Sequence, residues 1–390
     1  MLSLRFDFRD IFRAPRLAFS VQRIWIMLAA LGLGLLAYTL CTYLALLIGG
    51  IPLGSAWQRF GILPSLFMER TPFDWYVWLI QGLGIICLAV AFLFANTAVA
   101  RAVYMSAKGE HFYSWRQAFA FAWRKSGAVL MTPVSLMTLL LLMVLGSLFI
   151  GLLGKIPYAG ELIISLSTLL WFFFALLMVF LAFVLWFSFF YTPAVIATTD
   201  EDAFESVFQL FSLSWNQPWR LFSYGLLSLV TALFSMGVLA FFVKRAVGLS
   251  NALLSAFMGG HFSDLANNGQ ALVQAWTSMG DDIIFDMFRG FAPYLYFTQE
   301  FYYLPVQELV RPTVAISGYL YGISLLVLAG WVLAYGFTTL ASGHTIAYLV
   351  MRKKKDEQNL LERVDREEEI EESGEADEPE TLPKEDFDKE

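Results

Sequence analysis

The sequence predicts an all-α integral membrane protein with six transmembrane helices and three cytoplasmic amphipathic helices. Three observations carry that reading. Of 390 residues, 58% are hydrophobic and 15% charged, whereas a soluble domain carries roughly 25% charge and less than half apolar residues. The uncharged residues gather into long stretches. Short segments ahead of alternate stretches repeat apolar residues at helical spacing.

Such an apolar excess has no place in a water-soluble core, because the surface of a soluble fold must still meet solvent. A soluble enzyme and a disordered regulator are excluded on that ground. Two cysteines, Cys41 and Cys87, both in apolar runs, exclude a disulfide-stapled module.

A spanning helix needs roughly 20 apolar residues, since its backbone polar groups must be satisfied internally across about 30 Å of hydrocarbon. The charge-free runs Ile24 to Gln58, Trp75 to Ala100, Ser126 to Gly154, Leu162 to Thr199, Leu221 to Val243 and Pro312 to Met351 satisfy this. They place spans at about 24–49, 76–99, 128–153, 163–191, 221–243 and 315–349. The first is too long, and starts too far behind five arginines, for a cleaved signal peptide.

Lysine and arginine set the orientation. With the tail after residue 355 left aside, the side of the N-terminus carries fifteen and the opposite side seven. An even number of spans puts both termini together, and the positive-inside bias puts them in the cytoplasm of an inner membrane. The organisation expected is a basic amphipathic helix at 1–23, five spans with interfacial helices at 24–243, an outer aromatic-rich cap at 244–311, a sixth span at 312–351 and a cytoplasmic tail at 352–390. That tail is first basic, then acidic. From Asp356 onward it holds 17 acidic and 4 basic residues, and its end reads as disordered. Its helix is expected to continue to about Glu372.

The three cytoplasmic segments share a pattern. In the first, Phe8, Ile11, Phe12 and Phe19 are expected on one side and Arg5, Arg9, Arg13 and Arg16 on another. Ser114 and Gln117 form a capping-box pattern ahead of the second, and Asp202 and Glu205 ahead of the third. Tryptophans close each segment: Trp25, Trp123, then Trp215 and Trp219, next to Arg124 and Arg220. Trp prefers the headgroup level, where its ring is apolar and its N–H finds a partner. The segments begin near residues 5, 112 and 202, so the chain reads as three units of interfacial helix plus transmembrane hairpin. A loop resting on a bilayer would also become amphipathic without repetition.

Candidate membrane-interface and lipid-headgroup residues are therefore Arg5, Arg9, Arg13, Arg16, Trp123, Arg124, Trp215, Trp219 and Arg220. Acidic lipid headgroups are the partners expected. A soluble basic partner is expected at the acidic tail, and no nucleic acid. Gln81, Asn96 and His344 are the notable polar positions in the spans and could mark a polar pathway, although hydrogen bonding between helices accounts for such residues more often. Ser342-Gly343-His344 reads as small-residue packing rather than as a hydrolase site. Gly32, Gly34, Gly82 and Gly84 read as sites of close helix approach. His261 with Asp264, Asp281, Asp282 and Asp286 is a weak metal pattern, and no Walker A, H-E-x-x-H, C-x-x-C or Rossmann glycine motif occurs. No cofactor and no enzymatic activity are expected.

From Tyr191 through Leu226 the chain carries a Pro after a span (Pro193), an acidic turn (Asp200 to Asp202), an amphipathic helix (Phe204 to Phe211) and Trp219 with Arg220 entering the next span. This resembles a motif of polytopic bacterial membrane proteins related to the membrane domain of some glycerophosphoryl diester phosphodiesterases. His111 to Lys125 resembles its earlier counterpart, and the likeness covers about residues 90–240. The phosphodiesterase barrel and its His-Arg-Gly and Glu-Asn signatures are missing, so the resemblance implies a related membrane module without that activity. The expected function is organisation of lipid or of a membrane assembly, with an uncoupled channel or transporter subunit as the alternative.

Overall fold

The structure is a computed structural model that describes residues 4–68, 72–110, 112–276 and 312–362. Every regular element among them is helical. A 3₁₀ turn at Phe8–Arg13 leads into α1 (Ala14–Ala18), with Pro15 in its first turn, where the missing N–H costs nothing. Then follow α2 (Val21–Ile48), α3 (Leu53–Phe60), α4 (Trp75–Lys108), α5 (Trp115–Arg124), α6 (Ser126–Leu153), α7 (Ala159–Leu166), α8 (Thr168–Thr199), α9 (Ala203–Asn216), α10 (Pro218–Met258), α11 (Gly260–Trp276) and α12 (Pro312–Asp356). Six of these, α2, α4, α6, α8, α10 and α12, are long and apolar enough to cross a membrane.

The helices overrun the stretches expected from hydropathy. A charged residue ends a hydrocarbon span but does not end a helix, because Lys and Arg are good helix formers. So α4 continues past Arg101 to Lys108, and α10 continues past Lys244 and Arg245 until Gly259, whose φ of 61° suits glycine. With 41 residues, α10 is about 60 Å long. Part of the section read as an outer cap is therefore the continuation of α10, followed by α11 packed along α12. Of the two helical patches expected there, Asn251 to Met258 falls within α10, while Asp281 to Met287 and the aromatics from Phe291 to Tyr303 lie outside the described residues. The expected fourth span divides at Ser167 into α7 and α8. At the other end α12 stops at Asp356 rather than near Glu372, and Glu357 turns the chain with φ 58°.

The long helices form three hairpins: α2 with α4, α6 with α8, and α10 with α12. Their second members, α4, α8 and α12, pack on one another at the centre. Phe92 meets Phe337 between α4 and α12 at 6.0 Å, and Tyr191 meets His344 between α8 and α12 at 4.9 Å. The first members lie outside, each also touching the second member of the preceding hairpin. Thus α2 touches α12 and α6 touches α4, while Tyr191 on α8 donates to Leu221 O of α10 at 3.4 Å. The short helices follow the same rotation. The segment Phe8–Ala18 sits on α10 and α12, α5 on α2 and α4, and α9 on α6 and α8.

Both ends of the described chain lie on one end of this bundle. Tyr335 of α12 donates to Pro15 O at 3.3 Å, and Lys354 pairs with Asp7 at 3.3 Å. After the turn at Glu357, Leu360 and Leu361 are buried, and Tyr104 of α4 donates to Leu360 O at 2.8 Å. Packing is densest at this end, where Val99 to Met105 of α4, Tyr191 to Thr199 of α8 and Thr338 to Met351 of α12 are buried almost without interruption.

Close approach is built from glycine at selected positions. A Cβ on Gly34 would stand 2.5 Å from Ala91 Cβ, and one on Gly84 2.9 Å from Cys41 Cβ, whereas Gly32 and Gly82 have open space. Gly34→Leu is expected to lower stability by about 2 kcal/mol through overpacking of α2 on α4. Gly32→Leu should melt like the parent protein in mild detergent. Equal melting of the two variants would show that α2 and α4 do not meet in this register. Gly343 of α12 likewise faces Ser228 of α10, so these two helices approach closely at that position.

Candidate functional site: an aromatic and basic collar

The three short helices present their largest apolar residues away from the bundle. In α9 the bundle side mixes serine, glutamine and leucine, with Ser206, Gln209, Leu210, Leu213 and Ser214 buried. Its opposite stripe is exposed: Phe204 (85%), Phe208 and Trp215 (69%). These residues recur at i, i+4 and i+11, one helical face. Amphipathicity here therefore runs opposite to that of an ordinary surface helix, since the greasier side is the free one.

The N-terminal segment behaves similarly, with one change from expectation. Ile11 turns into the bundle beside Asp10, Ala14 and Ala18, and does not share a side with Phe8, Phe12 and Phe19, which are exposed. Arg5, Arg9 and Arg16 are exposed with those rings. Arg13 is half-buried and faces Asp10 at 3.5 Å, so it belongs partly to the protein. In α5 the expected capping box is present: Gln117 N donates to Ser114 Oγ at 3.3 Å, and Ser114 N donates to Gln117 Oε1 at 2.7 Å. Its buried face is Ala118, Phe121 and Ala122, while Trp115, Trp123 and Arg124 are exposed. The analogous cap on α9 is not formed by the Asp202 side chain; instead Ser206 Oγ donates back to Asp202 O at 2.9 Å.

Trp25, Trp219 and Arg220 extend this free surface into the first turns of α2 and α10. Guanidinium groups lie over neighbouring rings, Arg9 over Phe8 at 5.9 Å and Arg116 over Trp115 at 5.3 Å. That arrangement joins an apolar plane to a phosphate-binding cation. The result is a collar of exposed rings and arginines contributed by all three short helices at one end of the bundle.

The three polar-pathway candidates are placed separately. Gln81 is buried on α4, and neither amide atom has a hydrogen-bond partner among the described residues. Asn96, about 22 Å further along the same helix, donates to Phe92 O of its own helix at 2.8 Å. His344 lies against the rings of Phe190 and Tyr191. His261 and Asp264 both fall in α11, and no group of three metal-capable side chains occurs among the described residues.

Sequence reasoning passed over Arg101, which it counted only as an orientation charge. It is fully buried, donates to Ala197 O of α8 at 3.0 Å and stacks 4.4 Å from the ring of Phe121 in α5. The last carbonyls of a helix carry partial negative charge, so a cation at the C-terminus of α8 is favourable. Lys125 acts there too, reaching Asp200 O at 2.7 Å and Asp200 Oδ1 at 2.9 Å. The signal for Arg101 was the unbroken apolar run beyond it, Ala102, Val103, Tyr104 and Met105. No family model, curated protein or solved structure matches this chain.

Proposed function

We propose that this chain is a non-enzymatic, six-span protein of the inner membrane that organises lipid around itself or within a membrane assembly, with both termini in the cytoplasm. The observation that carries the reading is the collar: rings and arginines from three separate helices face outward at one level of the bundle. A ring seats at the boundary of headgroups and acyl chains, and each exposed cation beside it contributes roughly 1 kcal/mol toward anionic lipid. Kinship with the membrane domain of glycerophosphoryl diester phosphodiesterases fits this role and remains part of the proposal.

We further read the three hairpins with their short helices as repeated units. The cyclic packing supports this, as do Asn96-Thr97, Tyr191-Thr192 and His344-Thr345, one pair in each central helix, whose threonines are all fully buried. The acidic tail would engage a soluble basic partner.

The test is the lipid that copurifies in mild detergent. The parent protein is expected to enrich acidic lipids over the bulk membrane. A variant with Arg5, Arg9, Arg16, Arg124 and Arg220 all changed to Gln should lose that enrichment and its sensitivity to salt. Unchanged enrichment would remove the collar from lipid recognition. Lipid hydrolysis by the purified protein, abolished by alanine at His261 or Asp264, would overturn the non-enzymatic reading.

A further inference from the structure

A cavity of about 320 Å³ opens at the collar end between α9 and the end of α12. One wall is α9, with Glu205, Phe208 and Gln209; the other carries Arg352, Lys355 and Asp356. It lies apart from the outward-facing collar arginines, although its placement at headgroup depth rests on the reading of α9 as an interfacial helix.

The walls are chemically unlike. Arg352 and Lys355 converge on Asp356 at 3.0 and 3.6 Å, so the α12 wall holds two cations and one carboxylate, all partly buried. That carboxylate fixes the cations without neutralising both. Across the space, Glu205 is exposed and brings a negative charge from α9. The floor is hydrogen-bonded: Gln209 is buried, accepts from the Tyr348 hydroxyl and donates to Glu201. The rim residue Phe208 is 62% exposed on the apolar stripe of the same helix.

The four charged side chains lining the cavity sum to zero, with one cation in excess on the α12 wall and the carboxylate of Glu205 on the α9 wall. An anion alone would face the unmatched carboxylate of Glu205, and a cation alone would face Arg352 and Lys355. A ligand carrying a phosphate and an amine offers a partner to each wall. A quaternary ammonium is a poor match, since it has no N–H to donate to Glu205 and recognition of such groups relies on a cage of aromatic rings, of which this cavity has one. We infer that the cavity between α9 and the end of α12 binds a phosphoethanolamine headgroup, with its phosphate on Arg352 and Lys355 and its ammonium toward Glu205.

The test uses the full-length protein in mild detergent, titrated with dihexanoyl phosphatidylethanolamine, phosphatidylcholine, phosphatidylglycerol and soluble O-phosphoethanolamine, with bound ligand read by native mass spectrometry. The ethanolamine lipid is expected to bind about tenfold more tightly than the choline and glycerol lipids, the worth of one charge-assisted hydrogen bond. Glu205→Gln, an exposed and structurally mild change, should erase the preference over the choline lipid, and Arg352→Gln should weaken binding about tenfold. Changing Arg9 and Arg16 to Gln should leave this preference intact even if acidic-lipid enrichment is lost, which separates it from the collar. Equal binding by soluble O-phosphoethanolamine would keep the chemistry and move its source to solution. Equal affinity for all three lipids, or a preference that survives Glu205→Gln, would overturn the assignment.

Discussion

Arg101→Met is expected to lower the stability of the detergent-solubilised protein by about 3 kcal/mol or more, read as a large drop in melting temperature by fluorescence-detected size exclusion. Three elements meet on this guanidinium. It belongs to α4, donates to the carbonyl of Ala197 near the end of α8, and lies 4.4 Å from the Phe121 ring of α5. A hydrogen bond from a charged donor contributes roughly 1.5–3 kcal/mol, and leaving a buried carbonyl without its donor adds desolvation cost. The stacked ring also loses a planar cation that ammonium does not replace, so Arg101→Lys should recover only part of the loss. Arg124→Met, one turn past Phe121 and exposed, is the contrasting variant and should melt near the parent temperature. Matching melts for Arg101→Met and Arg124→Met would mean that the buried contact contributes nothing to stability.

Leu361→Asp is expected to have an effect of similar size, about 3 kcal/mol, because Leu361 is 3% exposed and an aspartate there would be buried without a partner. The prediction extends to where the tail is cut. Ending the chain after Glu362 keeps the Tyr104 contact with Leu360 and should leave melting unchanged. Ending it after Asp356 removes that contact together with Leu360 and Leu361, and should destabilise the protein as the point variant does. A search for tail partners is therefore cleaner with a deletion that begins at residue 363. If both truncations melt alike, the residues after α12 are not part of the packed end.

The six long apolar helices were legible because hydropathy over about 20 residues reports a property of each helix alone. Helix ends were not. Lys244 and Arg245 read as a boundary, yet nothing between them and Gly259 breaks a helix, so α10 runs on. The capping box at Ser114 and Gln117 was readable because both partners lie within one turn, whereas Asp202 showed the same letters without making the bond. Collar residues were legible one by one as rings and arginines at helical spacing. Which side faced outward was not, because Ile11 and Phe12 are both apolar and only the neighbouring helices decide between them. Arg101 and the cavity beside α9 were invisible for a related reason: each depends on groups brought together across 96 positions or more, as Arg101 with Ala197 and Gln209 with Tyr348.

The seating of the N-terminal segment on the last hairpin bears on synthesis. Pro15 and Tyr335 stand 320 positions apart. At roughly 5–20 residues per second, a ribosome needs about 16–64 s to make the distance between them. Until both α10 and α12 have been made, the head of the nascent polypeptide lacks its complete docking surface, and its buried-to-be face, with Asp10 and Ile11, is not fully covered. Ring closure is thus the final assembly event, and a nascent chain stalled before α12 would stay open at the very place where the finished protein is most tightly shut.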